Sequence, residues 1–457
     1  MMRSLFSGVA GLKNHQTRMD VIGNNISNVN TYGFKTSRVS FQDMLSQTMA
    51  GAAKPEENKG GVNPKQVGLG MTVASIDRIF TQGSLQTTGN QTDLAISGDG
   101  FFVVADGDKK YYTRSGAFAL DRDGTLVNPS NGLKVQGYMA TTDANGIKQV
   151  KANGQTEDLV IPVYGKNEAR ETSYVRYKCN LDSKKPVLPQ NATPQMIASA
   201  AVTTSIDVYD KLGNPHRMTM NFWHTGTNEW TASAAMSNVD ANMTLDVPAG
   251  ANQQNQANPS SRMILRFSPE GKVIGVSDEA TPDGINQGKL EAMLNYRLNG
   301  DPTVRSIRLD MGTAGMIEGV TQFSSQSTTK AVEQDGFAMG YLESFNIDNS
   351  GLITGVYSNG TKQAVGQVAM AVFTNPQGLT AAGDNTFEVS NNSGMANEGA
   401  AGSAGRGKIV AGTLEMSNVD LSDQFTDMIV TQRGFQANSR TISTCDQMLQ
   451  ELINLKR

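Results

Sequence analysis

Cysteine is almost missing from this chain: Cys179 and Cys445 are the two in 457 residues. Two such distant cysteines build no disulfide framework. Histidine is equally scarce, with His15, His216 and His224. That leaves little for a nucleophilic triad or a three-ligand metal centre. His216 and His224 would approach each other only if Arg217–Trp223 turned back as a hairpin, and no third ligand is nearby. Charge is thin at 18% of residues, with 39 basic and 43 acidic side chains scattered along the chain. No basic stripe marks a nucleic-acid surface. No apolar run approaches the ~20 residues that span a bilayer, so membrane insertion is not expected. Met1–Gly23 lacks the basic leader, apolar block and small-residue cleavage site of a secretory signal. That suits a cytoplasmic protein or the substrate of a signal-less export channel. No cofactor and no metal are expected.

What the chain does have is glycine, 47 residues of it, among abundant Asn, Ser, Thr and Gln. Glycine supplies the positive φ of tight turns, so the mixture suits short strands joined by turns. The length is too great for one core and suggests about two to four domains.

The two ends differ from the middle and resemble each other. Leu5, Val9, Leu12, Met19, Ile22, Ile26 and Val29 recur at three- and four-residue steps, which predicts an amphipathic helix. The helix should weaken at Asn30-Thr31-Tyr32-Gly33, where turn formers gather. Leu421, Phe425, Met428, Phe435, Ile442, Cys445, Leu449 and Leu452 hold the same spacing near the other end. Asp420 is a candidate N-cap with Asp423 in the first turn, and Lys456 and Arg457 suit the C-terminal end of the dipole. Gln16 and Gln432 interrupt the two seams and should weaken each helix alone. Seams this long favour helices that meet each other and also neighbouring subunits, and that are largely unfolded before assembly. Cys445 reads as core packing between Ile442 and Leu449.

The middle reads as strands. Phe118–Leu126 and Phe345–Ile353 share the pattern Phe-x-(Leu/Ile)-Asp-x-x-Gly-x-(Leu/Ile), with a looser copy at Phe267–Val273. The physical content is a hairpin in which Asp accepts backbone hydrogen bonds and Gly takes the left-handed position. Asp121-Arg122-Asp123-Gly124 has the start of a calcium loop but not its other acidic ligands, so a plain turn is expected. Residues 165–326 differ again. They hold Trp223, Trp230, the alternating run Arg217–Trp223 and a polar loop, Ala249–Ser261.

The expected fold is therefore multidomain. Paired terminal α-helices, residues 1–35 with 415–457, form a coiled-coil layer. A linker region covers 36–72. A first, mainly-β domain comprises 73–164 with 327–414. A second mainly-β domain, 165–326, is inserted in the first.

Specific motifs carry a resemblance across most of the chain outside the inserted region. Ser4–Leu12 and Ile22–Lys35 resemble the N-terminal signature of the flagellar rod and hook family. Gly89–Ile96 through Gly100-Phe101-Phe102 is similar to its next block, and Ser417–Leu421 through Gln432–Ser439 to its C-terminal signature. Rod members of that family are expected to be much shorter, so a large inserted β domain points to the hook members. The resemblance implies a homopolymer: a flexible, curved tube that carries motor torque to the filament. Its helices line the bore and its inserted domain lies outermost. It implies other axial partners (rod, hook cap, hook–filament junction) and a flagellar export apparatus, with export lacking a cleaved signal.

Lys178-Cys179-Asn180-Leu181-Asp182 further resembles the spirochaete subgroup, whose hooks are periplasmic; in other bacteria they are extracellular. In that subgroup neighbouring subunits are joined by lysinoalanine. The resemblance then assigns Cys179 as the residue that loses sulfur, Lys166 as the attacking amine and Asn180 as an assisting side chain. Arg176 and Lys178 lie close to Cys179 in sequence and would favour sulfur's departure. Strand alternation, however, puts Val175, Tyr177 and Cys179 on one face and both cations on the other. Without the resemblance, Cys179 reads as an inert core residue. The competing classes are a distal rod-type axial subunit, a polar β-rich surface adhesin, and a β-rich hydrolase using paired carboxylates. No carboxylate pair is tied to a pocket in the sequence.

Overall fold

A computed structural model describes residues 2–52, 54, 60–143, 148–152, 154–163, 165–189, 193–237, 239, 243–246, 262–278, 289–298, 303–328 and 331–455. The polar loop Ala249–Ser261 and the terminal Lys456 and Arg457 lie outside them. The chain forms two compact units. The first comprises 1–163, 344–356 and 362–457; the second comprises 164–343 and 357–361.

In the first unit, helix α1 spans Met2–Ser27. It ends where Thr31 N–H turns back to Asn28 O at 3.1 Å. Gly33 follows with φ +70°, and its N–H donates to Glu415 O at 2.8 Å. A Cβ there would lie 2.6 Å from Ser115 N, so both conformation and space require glycine. The helix near the other end spans Leu421–Asn454. Asp420 caps it by accepting from Ser422 N and Asp423 N, and Asp423 sits in its first turn, as the sequence indicated. In chain order it is α3, because a short helix, α2, spans Pro194–Ala200.

Residues 36–72, expected as a linker, are largely paired strand. Ser37–Asp43 runs antiparallel to Met71–Arg78, and Ser46–Ala50 to Lys65–Gly68. The main sheet beyond them is antiparallel. Its strands run in the order Thr380–Gly383, Thr386–Glu388, Lys109–Thr113, Phe101–Asp106, Lys134–Thr142, Lys362–Val372 and Leu352–Tyr357. Its core gathers Phe101, Tyr112, Tyr138, Phe373 and Phe387. The Asp-Gly hairpins form as read. Asp348 Oδ1 accepts from Ser350 N and Leu352 N at 2.8 and 2.9 Å, with Gly351 at φ +76°. Asp121 O accepts from Gly124 N, with Gly124 at φ +80°.

The second unit packs two five-stranded sheets around one core. One sheet supplies Val175, Leu294 and Leu309; the other supplies Met218, Phe222, Trp230 and Leu265. The looser Asp-Gly copy is here, with Ser268 in the Asp place and Gly271 at φ +82°. Pro215–Gly226 is one continuous strand rather than a hairpin. His216 and His224 therefore stand about 26 Å apart along an extended chain. His216 faces Asp210, and His224 stacks on Trp230. An alternating apolar run does not by itself reveal where it turns.

Candidate assembly helices and cross-linking residues

Helices α1 and α3 pack antiparallel. Gly8 abuts Ile442, Gly11 abuts Asn438, and His15 abuts Gly434. Further along, Arg18 pairs with Asp427 at 2.9 Å, and Asn25 donates to Gln424 Oε1 at 2.9 Å. The face that meets is small and polar. A Cβ at Gly11 would lie 2.7 Å from Asn438 Nδ2, so the Asn438 side chain would have to move aside. Asn14, Asn25, Thr431 and Cys445 are buried, together with Ile22.

Of the predicted seam, Met428, Ile442 and Leu449 lie partly buried on α3, and Leu5, Leu12, Met19 and Ile26 partly buried on α1. Ile22 and Cys445 are buried and Val29 half-buried, while Val9, Leu421, Phe425 (50%), Phe435 (42%) and Leu452 are exposed. Phe6, Ile429 and Val430 join them at 62, 58 and 56%. Gln16 and Gln432 are exposed; the polar residues inside the helix interface are Asn25 and Asn438. A hydrophobicity pattern could not find this face, because glycine and asparagine form it.

Two signature asparagines anchor the helices to the strands. Asn25 Oδ1 accepts from Ser37 N at 3.0 Å, and its Nδ2 donates to Ser37 O at 2.8 Å. Asn418 Oδ1 accepts from Thr36 N, and its Nδ2 donates to Ile79 O, both at 2.8 Å. Neither was singled out in sequence, although both sit inside the motifs that carry the resemblance.

Lys166, Cys179 and Asn180 all lie in the second unit. Lys166 is exposed on a two-residue strand, opposite Tyr341. Tyr341 and Met339 are themselves exposed apolar side chains. Cys179 opens the strand Cys179–Asp182, which pairs in parallel with Val320–Phe323. It is buried in the sandwich core, and burial pushes its thiol up to about 12. Arg176 does not counter that. Its guanidinium points to the other face, 3.1 Å from Asp310 and 3.3 Å from Glu333. The expected help to sulfur's departure from Arg176 is thus lost to a pair of carboxylates. Asn180 is engaged within its own subunit. Its Nδ2 donates to Ser325 Oγ at 2.8 Å, and its Oδ1 accepts from Phe323 N at 2.9 Å.

Four family profiles cover most of the chain. They are described as flagella basal body rod protein (residues 5–35), flagellar hook protein FlgE/F/G D1 domain (95–167), flagellar basal body protein FlaE D2 domain (180–337) and flagellar basal body rod FlgEFG protein C-terminal (410–455). The flagellar hook protein FlgE of Treponema pallidum is 50% identical over 467 aligned residues, and that of Borreliella burgdorferi 45% over 464, each covering all of both chains. A crystal structure of Helicobacter pylori flagellar hook protein FlgE2 matches with TM-score 0.52 at 16% identity, over 72% of this chain and 100% of that one. At that identity it speaks for the fold. A Bacillus subtilis relative named a flagellar basal-body rod protein aligns over 458 residues, all of both chains, at 30% identity.

Proposed function

The chain belongs to the flagellar hook protein FlgE family, and on that basis we propose that many copies of it polymerise into a flexible, curved tube that carries motor torque to the filament. The observation that carries this reading is the apolar surface left on α1 and α3 after their mutual interface has formed. Phe6, Val9, Phe425, Ile429, Val430 and Phe435 would each lose hydration on burial against another copy, worth about 1.5–3 kcal/mol for a fully covered side chain. Several large apolar side chains left exposed on one helix pair fit an interaction surface. The further partners are the rod, hook cap and hook–filament junction proteins and the flagellar export apparatus. The proposed location is the flagellar hook, periplasmic in a spirochaete and extracellular in other bacteria. The proposed domain division is the one read from sequence: helical layer, linker region, first β domain, and a second β domain at 165–326 inserted in it.

Phe425→Ser with Phe435→Ser tests the assembly reading. The free double variant should melt within about 1 kcal/mol of wild type, because both side chains are already exposed. It should form no tubes by electron microscopy. Tubes formed at the wild-type rate would refute it.

We further propose an inter-subunit lysinoalanine. A base removes the Cα proton of Cys179, the Cβ–S bond breaks, and hydrogen sulfide departs to leave dehydroalanine. The neutral amine of Lys166 from a neighbouring copy then adds to Cβ. Assembly supplies the proximity, with Asn180 beside the reacting residue. Assembly is what brings the attacking amine to Cys179, so the reaction belongs to the assembled state. Its signature is a peptide joining Lys166 to Cys179, lighter than its two parts by hydrogen sulfide, from tubes boiled in detergent and reductant. Tubes that fall to monomers with a free Cys179 thiol would remove the cross-link and leave the hook reading in place.

A second reading, a rod-type axial subunit, is favoured by the full-length relative of that name. Labelling intact flagella for this chain separates the two, since rod and hook occupy different stretches of the axis.

A further inference from the structure

Tyr177 is fully buried, and among the described residues its hydroxyl has no hydrogen-bond partner. A buried hydroxyl left unpaired costs about 1–3 kcal/mol, and such groups are uncommon. The side chain lies two residues before Cys179 in an alternating run, so both point to the same face. Both belong to one core with Val175 and Leu181, and the Tyr177 ring stands 6.2 Å from Phe222. The surroundings are apolar, and Cys179 is the ionisable group felt at the hydroxyl: burial first, then Cys179, raises the phenol well above its ordinary value.

We propose that the Tyr177 hydroxyl donates the hydrogen bond that lets sulfur leave Cys179. This rests on the cross-link reading above. Elimination begins when water or hydroxide takes the Cα proton. The freed electron pair forms the Cα–Cβ double bond, and the Cβ–S pair leaves with sulfur as HS⁻. In an apolar core that anion has no water to solvate it. A donor aimed at charge that appears only as the bond breaks speeds such a step by about 10²–10³-fold in known cases. Because burial keeps the phenol protonated, the donor is present at any working pH. HS⁻ takes a proton and departs as hydrogen sulfide. Any proton the phenol gives is replaced by the one released at Cα, so Tyr177 ends unchanged.

The test is Tyr177→Phe in assembled tubes. The substitution removes only an unpaired hydroxyl, so the variant should fold with a melting temperature at or above wild type. Elimination is read separately from addition in a Lys166→Arg background, where dehydroalanine at position 179 accumulates and is quantified by peptide mass spectrometry. We expect dehydroalanine to form at least about 10-fold more slowly in Tyr177→Phe/Lys166→Arg tubes than in Lys166→Arg tubes. Equal rates with equal stability would overturn the role of Tyr177 while leaving the cross-link standing. Wild-type tubes without any joined peptide, and Lys166→Arg tubes without dehydroalanine, would overturn both.

Discussion

Lys35, Arg114 and Glu415 carry three charges into the interior of the first unit. Lys35 Nζ lies 2.7 Å from Glu415 Oε1 and donates to Thr81 O at the same distance. Arg114 Nη1 lies 3.4 Å from Glu415 Oε2, while its Nη2 donates to Gly98 O at 2.9 Å. None of the three side chains is more than 2% exposed. Burial pulls both cations below their ordinary pKa, and Glu415 opposes that pull. Removing the one anion from such a group is far more damaging than replacing the whole group by apolar residues. Glu415→Gln should therefore destabilise the free subunit by about 3–5 kcal/mol in urea unfolding. A loss below about 1 kcal/mol would mean water reaches the cluster. Lys35 stood inside a recognisable motif, but its partner lies 380 residues away. No local pattern pairs them; only the fold does.

At the scale of elements, the helix pair has an interface that adds little hydrophobic stabilisation. Gly8, Gly11, Asn25, Thr431 and Asn438 bury few methylenes, and helices in proteins gain most of their stability from packed apolar faces. Much of the apolar surface that could add to it looks outward, at Phe6, Val9, Phe425, Ile429, Val430 and Phe435. Amide exchange in dilute subunit should show Leu421–Leu452 weakly protected relative to the sandwich strand Arg305–Thr313, with strong protection appearing in tubes. Strong protection of α3 in the monomer would show that its small polar face suffices. Helix existence, the Asp420 cap and the Asp-Gly hairpins were legible because each depends on residues within one turn of one another. The face on which α1 meets α3 was not, because close backbone approach is recorded as glycine rather than as hydrophobicity. Residues 36–72 were likewise opaque. Strands such as Ser46–Ala50 are exposed throughout, so no alternation betrays them.

At the scale of the whole molecule, proposed function turns on sliding. Each row of subunits in a rotating curved tube must shorten and lengthen once per turn, so contacts between outer domains must exchange at little cost. Polar, wet contacts allow that, whereas dry apolar contacts lock. The edge strand Val202–Tyr209 of the second unit tests this. It leaves Thr203, Ser205 and Asp207 exposed, with Asp207 guarding an edge that could otherwise pair with another chain. Thr203→Leu with Ser205→Leu adds apolar surface on the outward face and touches no buried group. Surface changes of this kind shift subunit stability by about 0.5 kcal/mol or less, so folding and polymerisation should persist. If outer-domain contacts set the flexibility, the variant tubes should be straight by electron microscopy, and motility in viscous medium should fall with them. Tubes of wild-type curvature would place the compliance elsewhere. The helix pair would then be the next element to stiffen, because its small polar interface is the other contact that yields at low cost.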